Sequence, residues 1–329
     1  MKTVLVTGGC GFIGSHLVRY LLSEKDLSVI NLDALTYAGN PDNLVDIEDN
    51  PRYRFIRGDI CNGETVAYAL KTAQYVIHCA AETHVDRSIT GSAAFIQTNI
   101  VGTHVLLEEA RNAKIERLVH VSTDEVYGSL TTDEPAFTED NLILPNSPYS
   151  ASKASSDLLV RSYVETYGFP GLITRCSNNY GPFQFPEKFL PVMIMNALAK
   201  NPMPVYGDGM NVRDWLYVGD HCRAIAMVLE KGVVGEVYNI GGDSEQHNIN
   251  MAKLIVKKMG RDESLITFVE DRLGHDRRYA INAEKIKRDI GWVPRMSFED
   301  GIELTVDWYR NNREWIERIQ SGEYQGCLD

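Results

Sequence analysis

Residues 119–128 read V-H-V-S-T-D-E-V-Y-G. The apolar start of this run predicts a buried parallel strand, and it places the hydroxyls of Ser122 and Thr123 and the carboxylates of Asp124 and Glu125 just past its C-terminal end. In open α/β sheets, ligands bind outside that end of the strands. Adjacent carboxylates there can divide proton donation from proton acceptance, provided their surroundings push the two pKa values apart. Downstream, Tyr149 and Lys153 stand in Y-S-A-S-K, a spacing that puts both on one helical face. A phenol near positive charge has its pKa drawn down from about 10 and becomes a usable base. Y-x-x-x-K by itself is a frequent accident of helices, so its meaning depends on the elements around it.

Those elements begin at the N-terminus. Residues 3–7, T-V-L-V-T, predict a buried strand that runs into G-G-C-G-F-I-G at 8–14, then a helix with Ile13, Leu17 and Leu21 on one face. Gly8, Gly11 and Gly14 would let the backbone turn tightly against a pyrophosphate. The helix opened by Phe12 and Ile13 would meet that charge with its N-terminus. A strand before and a helix after give the glycine triplet its weight. The next strand, 28–32, ends at Asp33, where a carboxylate would accept from an adenosine ribose hydroxyl and repel a 2′-phosphate. NAD is therefore expected rather than NADP, with a plain turn residue as the alternative for Asp33. After a strand at 53–56 come Asp59 and Ile60. Asp59 either accepts from an adenine amino group or caps the helix near 64–70. A strand at 75–79 leads to the small Ala80 and Ala81, which would let a cofactor pass closely, and to the polar run from Glu82 to Ser88. His84 has no partner at metal-ligand spacing, and no metal site is expected. The helix predicted over 92–112 has a core face and a second semi-apolar face, suited either to internal packing or to a dimer interface.

In the second half, a strand at 171–175 ends at C-S-N-N-Y-G, where Asn178 and Asn179 either donate to a ligand or simply turn the chain. Prolines and short elements after Phe183 predict a smaller substrate domain. Lys188 and Arg213 are candidate diphosphate clamps there, and Asp214 with Trp215 either orients Arg213 or is structural. A helix at 220–230 and a strand at 236–240 look α/β again. The run 271–279, D-R-L-G-H-D-R-R-Y, gathers Arg272, His275, Arg277 and Arg278 as an anion site or as a solvated basic loop. The charged, Trp-bearing tail from Ser297 reads as packing. The expected architecture is a Rossmann-type doubly wound parallel α/β sheet over residues 1–175, rejoined around 214–241, with a smaller mixed α/β domain over 176–329.

The 329 residues carry a net charge of −12, which disfavours a nucleic-acid or anionic-membrane partner. No apolar run reaches the length of a membrane span. Six scattered cysteines lack zinc spacing and read as free thiols, and with no leader ahead of the first strand a cytoplasmic location is expected.

Three motifs now coincide: the glycine loop with Asp33, S-T-D-E at a strand end, and Y-x-x-x-K. Together they resemble the extended branch of the short-chain dehydrogenase/reductase superfamily. Within it, the likeness is to the dTDP-glucose 4,6-dehydratase family and covers essentially the whole chain. Its marks are T-G-G-C-G-F-I-G-S-H, D-A-L-T-Y-A-G-N, H-V-D-R-S-I, V-S-T-D-E-V-Y-G, P-N-S-P-Y-S-A-S-K, T-R-C-S-N-N-Y-G-P, P-E-K, Y-G-D-G-x-x-V-R-D-W and D-R-L-G-H-D-R-R-Y. Thr83 stands where the family usually has serine, and Phe189 where it has leucine. The resemblance implies a homodimer that uses NAD to oxidise carbon 4 of dTDP-glucose, eliminate water across carbons 5 and 6, and return hydride to carbon 6. It implies that Thr123, Asp124, Glu125, Tyr149 and Lys153 catalyse. It assigns the glycine loop, Asp33, Ala34, Leu35, Thr36, Asp59, Ile60, Ala80, Ala81, Glu82, Thr98 and Asn179 to the cofactor, together with Tyr149 and Lys153. To the sugar nucleotide it assigns Thr123, His84, Asn178, Lys188, Phe189, Pro204, Val205, Tyr206, Arg213, Asn248, Arg272, His275 and Tyr279. A UDP-sugar 4-epimerase or decarboxylase of the same fold would use Tyr149 and Lys153 but would not need the carboxylate pair. A binding-only NAD protein would be expected to have lost one of Thr123, Tyr149 or Lys153. Thymine and uracil differ by a methyl worth about 1 kcal/mol, so the base of the nucleotide stays open.

Overall fold

The computed structural model describes residues 1–326, so Cys327 lies outside the described residues. The first six strands are β1 (Lys2–Thr7), β2 (Leu27–Asp33), β3 (Tyr53–Arg57), β4 (Tyr75–His78), β5 (Arg117–Thr123) and β6 (Gly171–Cys176). They are followed by β7 (Asn178–Tyr180), β8 (Met203–Tyr206), β9 (Val212–Tyr217), β10 (Val237–Ile240), β11 (Glu245–His247) and β12 (Ile266–Val269). A seven-stranded sheet has the order β3-β2-β1-β4-β5-β6-β10, and every pairing in it is parallel. This is a Rossmann-type doubly wound sheet. Strands covered by helices on both faces must be apolar throughout. In β1, accordingly, Val4 and Val6 face one core with Leu17 and Leu21 of the helix Phe12–Glu24, while Leu5 faces the opposite core with Val66, Leu106 and Val160.

Beyond β6 the chain builds a second layer: β7 pairs parallel with β9, β9 pairs antiparallel with β11, and β8 pairs parallel with β12. Its core gathers Met193, Ile194, Trp215, Ile255, Ile302 and Tyr309. The chain does not stay there. The helix Val218–Lys231 packs in the first core, β10 extends the large sheet beside β6, and Trp292 is buried in the first core as well. The terminal helices also reach back, with Trp315 Nε1 donating to Asn43 Oδ1 at 2.9 Å and Arg318 Nε to Asp42 Oδ2 at 2.8 Å. Among the described residues no helix is long and apolar enough to cross a membrane.

The helix expected over 92–112 is present and runs without a break from Ala93 to Asn112, but its stretch Ile96–Gly102 is π-helical, between α-helical Ala93–Phe95 and Thr103–Asn112. Hydrophobic spacing cannot reveal one extra residue per turn; tertiary contacts can impose it. The Asn99 carbonyl accepts from Thr103 Oγ1 and Ser156 Oγ, each at 2.6 Å, while its side chain grips the backbone of Glu82. π-Helical turns of this kind recur at functional sites.

Candidate active site

Strand-end geometry brings the chemistry-bearing residues to one side of the large sheet. Gly8 turns with φ +73°, and a Cβ there would lie 2.7 Å from the Ala80 backbone. At Gly14 a Cβ would lie 2.0 Å from the Gly8 carbonyl oxygen. Only hydrogen fits at either position. The following helix has Gly11 at its N-cap, with no side-chain cap, so its first amides remain turned toward a cavity of about 300 Å³. At the end of β2, Asp33 Oδ2 accepts from Cys10 N and Oδ1 from Leu35 N, both at 2.8 Å. Leu35 adopts φ +54°, unusual for a branched residue, and that second bond holds it there. These features fit a dinucleotide: a side-chain-free cradle, a helix N-terminus and a carboxylate in the cavity lining at the end of β2.

On β5, Thr123 caps the short 3-10 turn Asp124–Tyr127, its Oγ1 accepting from Glu125 N at 3.3 Å. Gly128 leaves the turn with φ +90°, where a Cβ would come within 2.4 Å of the Leu144 carbonyl oxygen. The helix Pro148–Tyr167 starts with a capping box: Ser147 Oγ accepts from Ser150 N at 3.1 Å, and Ser150 Oγ accepts from Ser147 N at 3.0 Å. Pro148 fits its first turn and Gly168 ends it in the left-handed region. This cap contributes about 1 kcal/mol and fixes the first turn, from which Tyr149 and Lys153 face the cavity.

The two carboxylates have different surroundings. Burial pushes the Asp124 carboxyl well above its usual range, the charges of Glu125 and Asp214 push it further, and its Oδ2 has no hydrogen-bond partner among the described residues. Glu125 is also raised by burial, but Arg272, Lys188 and Arg213 oppose that rise, so its ionised form has three cations facing it. Both carboxyls are thus raised by burial, but only Glu125 has three cations opposing the rise, so the two environments push their pKa values apart in the sense that makes Asp124 the acid and Glu125 the base. Protein groups alone do not lower the Tyr149 pKa. Burial raises it well above 10, followed by Glu125, and the Thr123 hydroxyl only partly opposes this. Lys153 Nζ donates to the Val121 carbonyl at 2.8 Å rather than to the phenol, and burial lowers its own pKa. Any lowering of the Tyr149 pKa therefore has to come from a bound positive charge.

All five candidate catalytic residues line this cavity, as do all the candidate cofactor residues except Leu35, which is buried behind it. Asn178 and Lys188 line it too. Asn178 Oδ1 is buried without a partner among the described residues, and Lys188 Nζ donates to Thr83 O at 2.8 Å. The Asn179 side chain is engaged by Ser177 O and His221. His84, Phe189, Pro204, Val205, Tyr206, Arg213, Asn248, Arg272, His275 and Tyr279 stand outside the lining. Arg213 lies buried against Tyr279 with its guanidinium 4.3 Å from the ring centroid, and with Arg272 it acts on Glu125. Phe189 and Val205 pack in the second core, and Phe189 lies 6.4 Å from Trp215. His84 caps the helix Val85–Thr90, and His275 pairs with Asp271. Pro204 and Tyr206 lie on β8, and Asn248 opens the helix Asn248–Lys258.

Several alternatives are resolved by contacts. The cap of the helix Gly63–Leu70 is Asn62, not Asp59, whose carboxylate accepts from Cys61 N instead. Asp214 is structural rather than an orienter of Arg213, because it accepts from Gly242 N and Ser244 N while Arg213 donates to the Val212 and Asp276 carbonyls. The basic run divides: Arg277 and Arg278 pair with Asp208 and Glu245 away from the cavity lining, leaving Arg272 near Glu125. Sequence reasoning missed Glu187, which lines the cavity, accepts from Tyr37 Oη at 2.9 Å and pairs with Arg87 at 3.4 Å. Its only signal was its place in P-E-K.

The family model described as GDP-mannose 4,6 dehydratase matches residues 5–305. A dTDP-glucose 4,6-dehydratase of Escherichia coli is 52% identical, the alignment covering 98% of each chain. Among solved structures, the dTDP-glucose 4,6-dehydratase of Streptomyces venezuelae with NAD bound has a TM-score of 0.95 at 49% identity, covering 97% of this chain and 100% of that one. The Bacillus anthracis dTDP-glucose 4,6-dehydratase in complex with NAD has a TM-score of 0.91 at 49% identity, with the same coverage. Likeness in sequence and in fold agree over nearly the whole length, and the chain belongs to the dTDP-glucose 4,6-dehydratase family.

Proposed function

We propose that this protein is an NAD-dependent hydro-lyase that converts dTDP-glucose to its 4-keto-6-deoxy derivative. The observation that carries the reading is the carboxylate pair of unequal environment, Asp124 and Glu125, in one cavity with Tyr149 and a glycine cradle. Gly8, Gly11, Gly14 and Asp33 would hold NAD, which when bound would supply the hydride acceptor for carbon 4 of the sugar and the hydride donor for carbon 6. Tyr149 takes the proton of the 4-hydroxyl as the carbon–hydrogen bond breaks, with Thr123 hydrogen-bonding the same oxygen. Lys153 would hold the nicotinamide ribose. The 4-ketone acidifies the hydrogen on carbon 5. Glu125 removes it, and the neutral Asp124 gives its proton to the departing 6-hydroxyl, which leaves as water. Glu125 then returns a proton to carbon 5.

Residues 1–175 with 214–241 would hold NAD, and the remainder would hold the sugar nucleotide through Asn178, Lys188, Arg213 and Arg272. A cytoplasmic homodimer is part of the same reading. Ile96, Val101 and Leu158 are exposed at 51%, 38% and 55% on neighbouring helical segments, an apolar surface suited to a second copy. Sedimentation as a monomer at micromolar concentration would remove that part.

Incubation without added reductant, separately with dTDP-glucose, UDP-glucose and UDP-glucuronate, tests the whole. Loss of one water from dTDP-glucose is expected. An unchanged mass with inverted configuration would mean an epimerase, and loss of carbon dioxide from UDP-glucuronate would mean a decarboxylase.

A further inference from the structure

Behind the cavity, and not lining it, lies a buried polar chain that the proposed chemistry does not use. Asp157 sits one helical turn beyond Lys153 and is 1% exposed, and its Oδ2 accepts from Arg175 Nε at 2.8 Å. Arg175 is 4% exposed and lies on β6 in register with Ser122, the residue before Thr123 on β5. Its other arm donates to Tyr127 Oη at 2.9 Å, and that hydroxyl donates to Asn239 Oδ1 on β10 at 2.8 Å. Tyr127 is the last residue of the turn that carries Asp124 and Glu125. A lone buried ion pair is a poor source of stability, since apolar side chains of equal volume often do as well or better. What this one does have is geometry: it joins two elements whose separation sets the reaction.

We propose that Arg175 is a positioning residue. Held by Asp157 on one side and the Tyr127 hydroxyl on the other, it fixes the helix bearing Tyr149 and Lys153 against the turn bearing Asp124 and Glu125. The inference rests on the dehydratase reading, in which one sugar must face the tyrosine at carbon 4 and the carboxylates at carbons 5 and 6. Planar guanidinium geometry suits the task because its donors leave in fixed directions. Arg175, Asp157 and Tyr127 do not line the cavity, and they act through the residues they hold.

The test uses the full-length holoenzyme and two variants that cut opposite ends of the bracket. Tyr127→Phe keeps the ring stacked on Phe137, at a centroid distance of 5.0 Å, and removes only the hydroxyl. Elimination should slow roughly ten- to a hundredfold with oxidation at carbon 4 unchanged, so reduced cofactor accumulates during turnover while KM for dTDP-glucose holds. Asp157→Asn loosens the helix instead; oxidation should slow and no reduced cofactor should build up. A merely structural role predicts a lower melting temperature with both steps slowed equally, or with neither slowed, and either result from Tyr127→Phe overturns the proposal. Accumulation of reduced cofactor in Asp157→Asn would overturn it too. If Asp157→Asn fails to fold, Tyr127→Phe decides alone. A wild-type protein that does not dehydrate dTDP-glucose would overturn the functional reading, and this inference with it.

Discussion

Replacing Asp124 by Asn should separate the proton it donates from the contacts it makes. Its carboxyl is buried, Oδ2 has no partner among the described residues, and burial with the charges of Glu125 and Asp214 raises its pKa well above the usual range, favouring the protonated form. Asparagine preserves volume and a hydrogen-bond donor but has no proton to transfer. Loss of a general acid costs about 10²–10⁴ in rate, or roughly 3–5 kcal/mol in barrier at about 1.4 kcal/mol per tenfold. The loss should fall on kcat with KM nearly unchanged, because ground-state contacts survive. Stability should move the other way. A carboxyl whose folded pKa lies above its unfolded value binds its proton more tightly in the native state. Wild-type stability therefore declines as pH rises from about 4 toward the folded pKa, by up to about 1.4 kcal/mol per pH unit. The amide of the variant does not titrate, so the melting temperature of Asp124→Asn relative to wild type should climb between about pH 4 and 7. Steady-state kinetics and a pH series of thermal melts read both effects. Full turnover by the variant, or a melting difference that shrinks as pH rises, would refute the reasoning.

Tyr149→Phe should abolish the first oxidation, with kcat falling at least about a hundredfold and no reduced cofactor seen on mixing with substrate; a normal absorbance signal would exclude the tyrosine as base. Gly14→Ala forces a methyl against the Gly8 carbonyl, where 2.0 Å is available, so the loop must shift. A fall of about 1–3 kcal/mol in stability and loss of NAD on gel filtration are expected. Asp33→Asn presents an amide donor to one of two backbone N–H groups, Cys10 or Leu35. It should cost about 1–3 kcal/mol and narrow the preference for NAD over NADP, measured by titration of the apoprotein.

Local chemistry is legible in the amino-acid sequence. The strand–glycine–helix opening, Asp33 after β2, and the Tyr149 and Lys153 pair can be read because each is written within a few residues whose backbone conformation their own types demand. The separated environments of Asp124 and Glu125 can be named there only as a requirement, since Arg213 and Arg272 come to Glu125 from distant parts of the chain. Pairings of that kind leave no spacing to detect. Arg175 with Asp157, Tyr37 with Glu187, and Trp315 with Asn43 are contacts between separate elements, fixed by how the layers pack. The π-helical stretch escapes for a related reason: Asn99 is diverted by Ser156 and Glu82, neither of which is near it in sequence. The expected lowering of Tyr149 rests on two charges, the Lys153 ammonium and a nicotinamide cation; the ammonium is turned to the Val121 carbonyl, which leaves the lowering to the cofactor.

The central claim is an internal transfer: hydrogen removed from carbon 4 reappears on carbon 6 of the same sugar. The most direct measurement supplies dTDP-glucose carrying deuterium at carbon 4, without exogenous reductant, and follows the product by mass spectrometry and by deuterium resonance. The account predicts loss of one water with the label retained in the new methyl group. A product that has lost the label, or one that keeps the mass of the substrate, would contradict it.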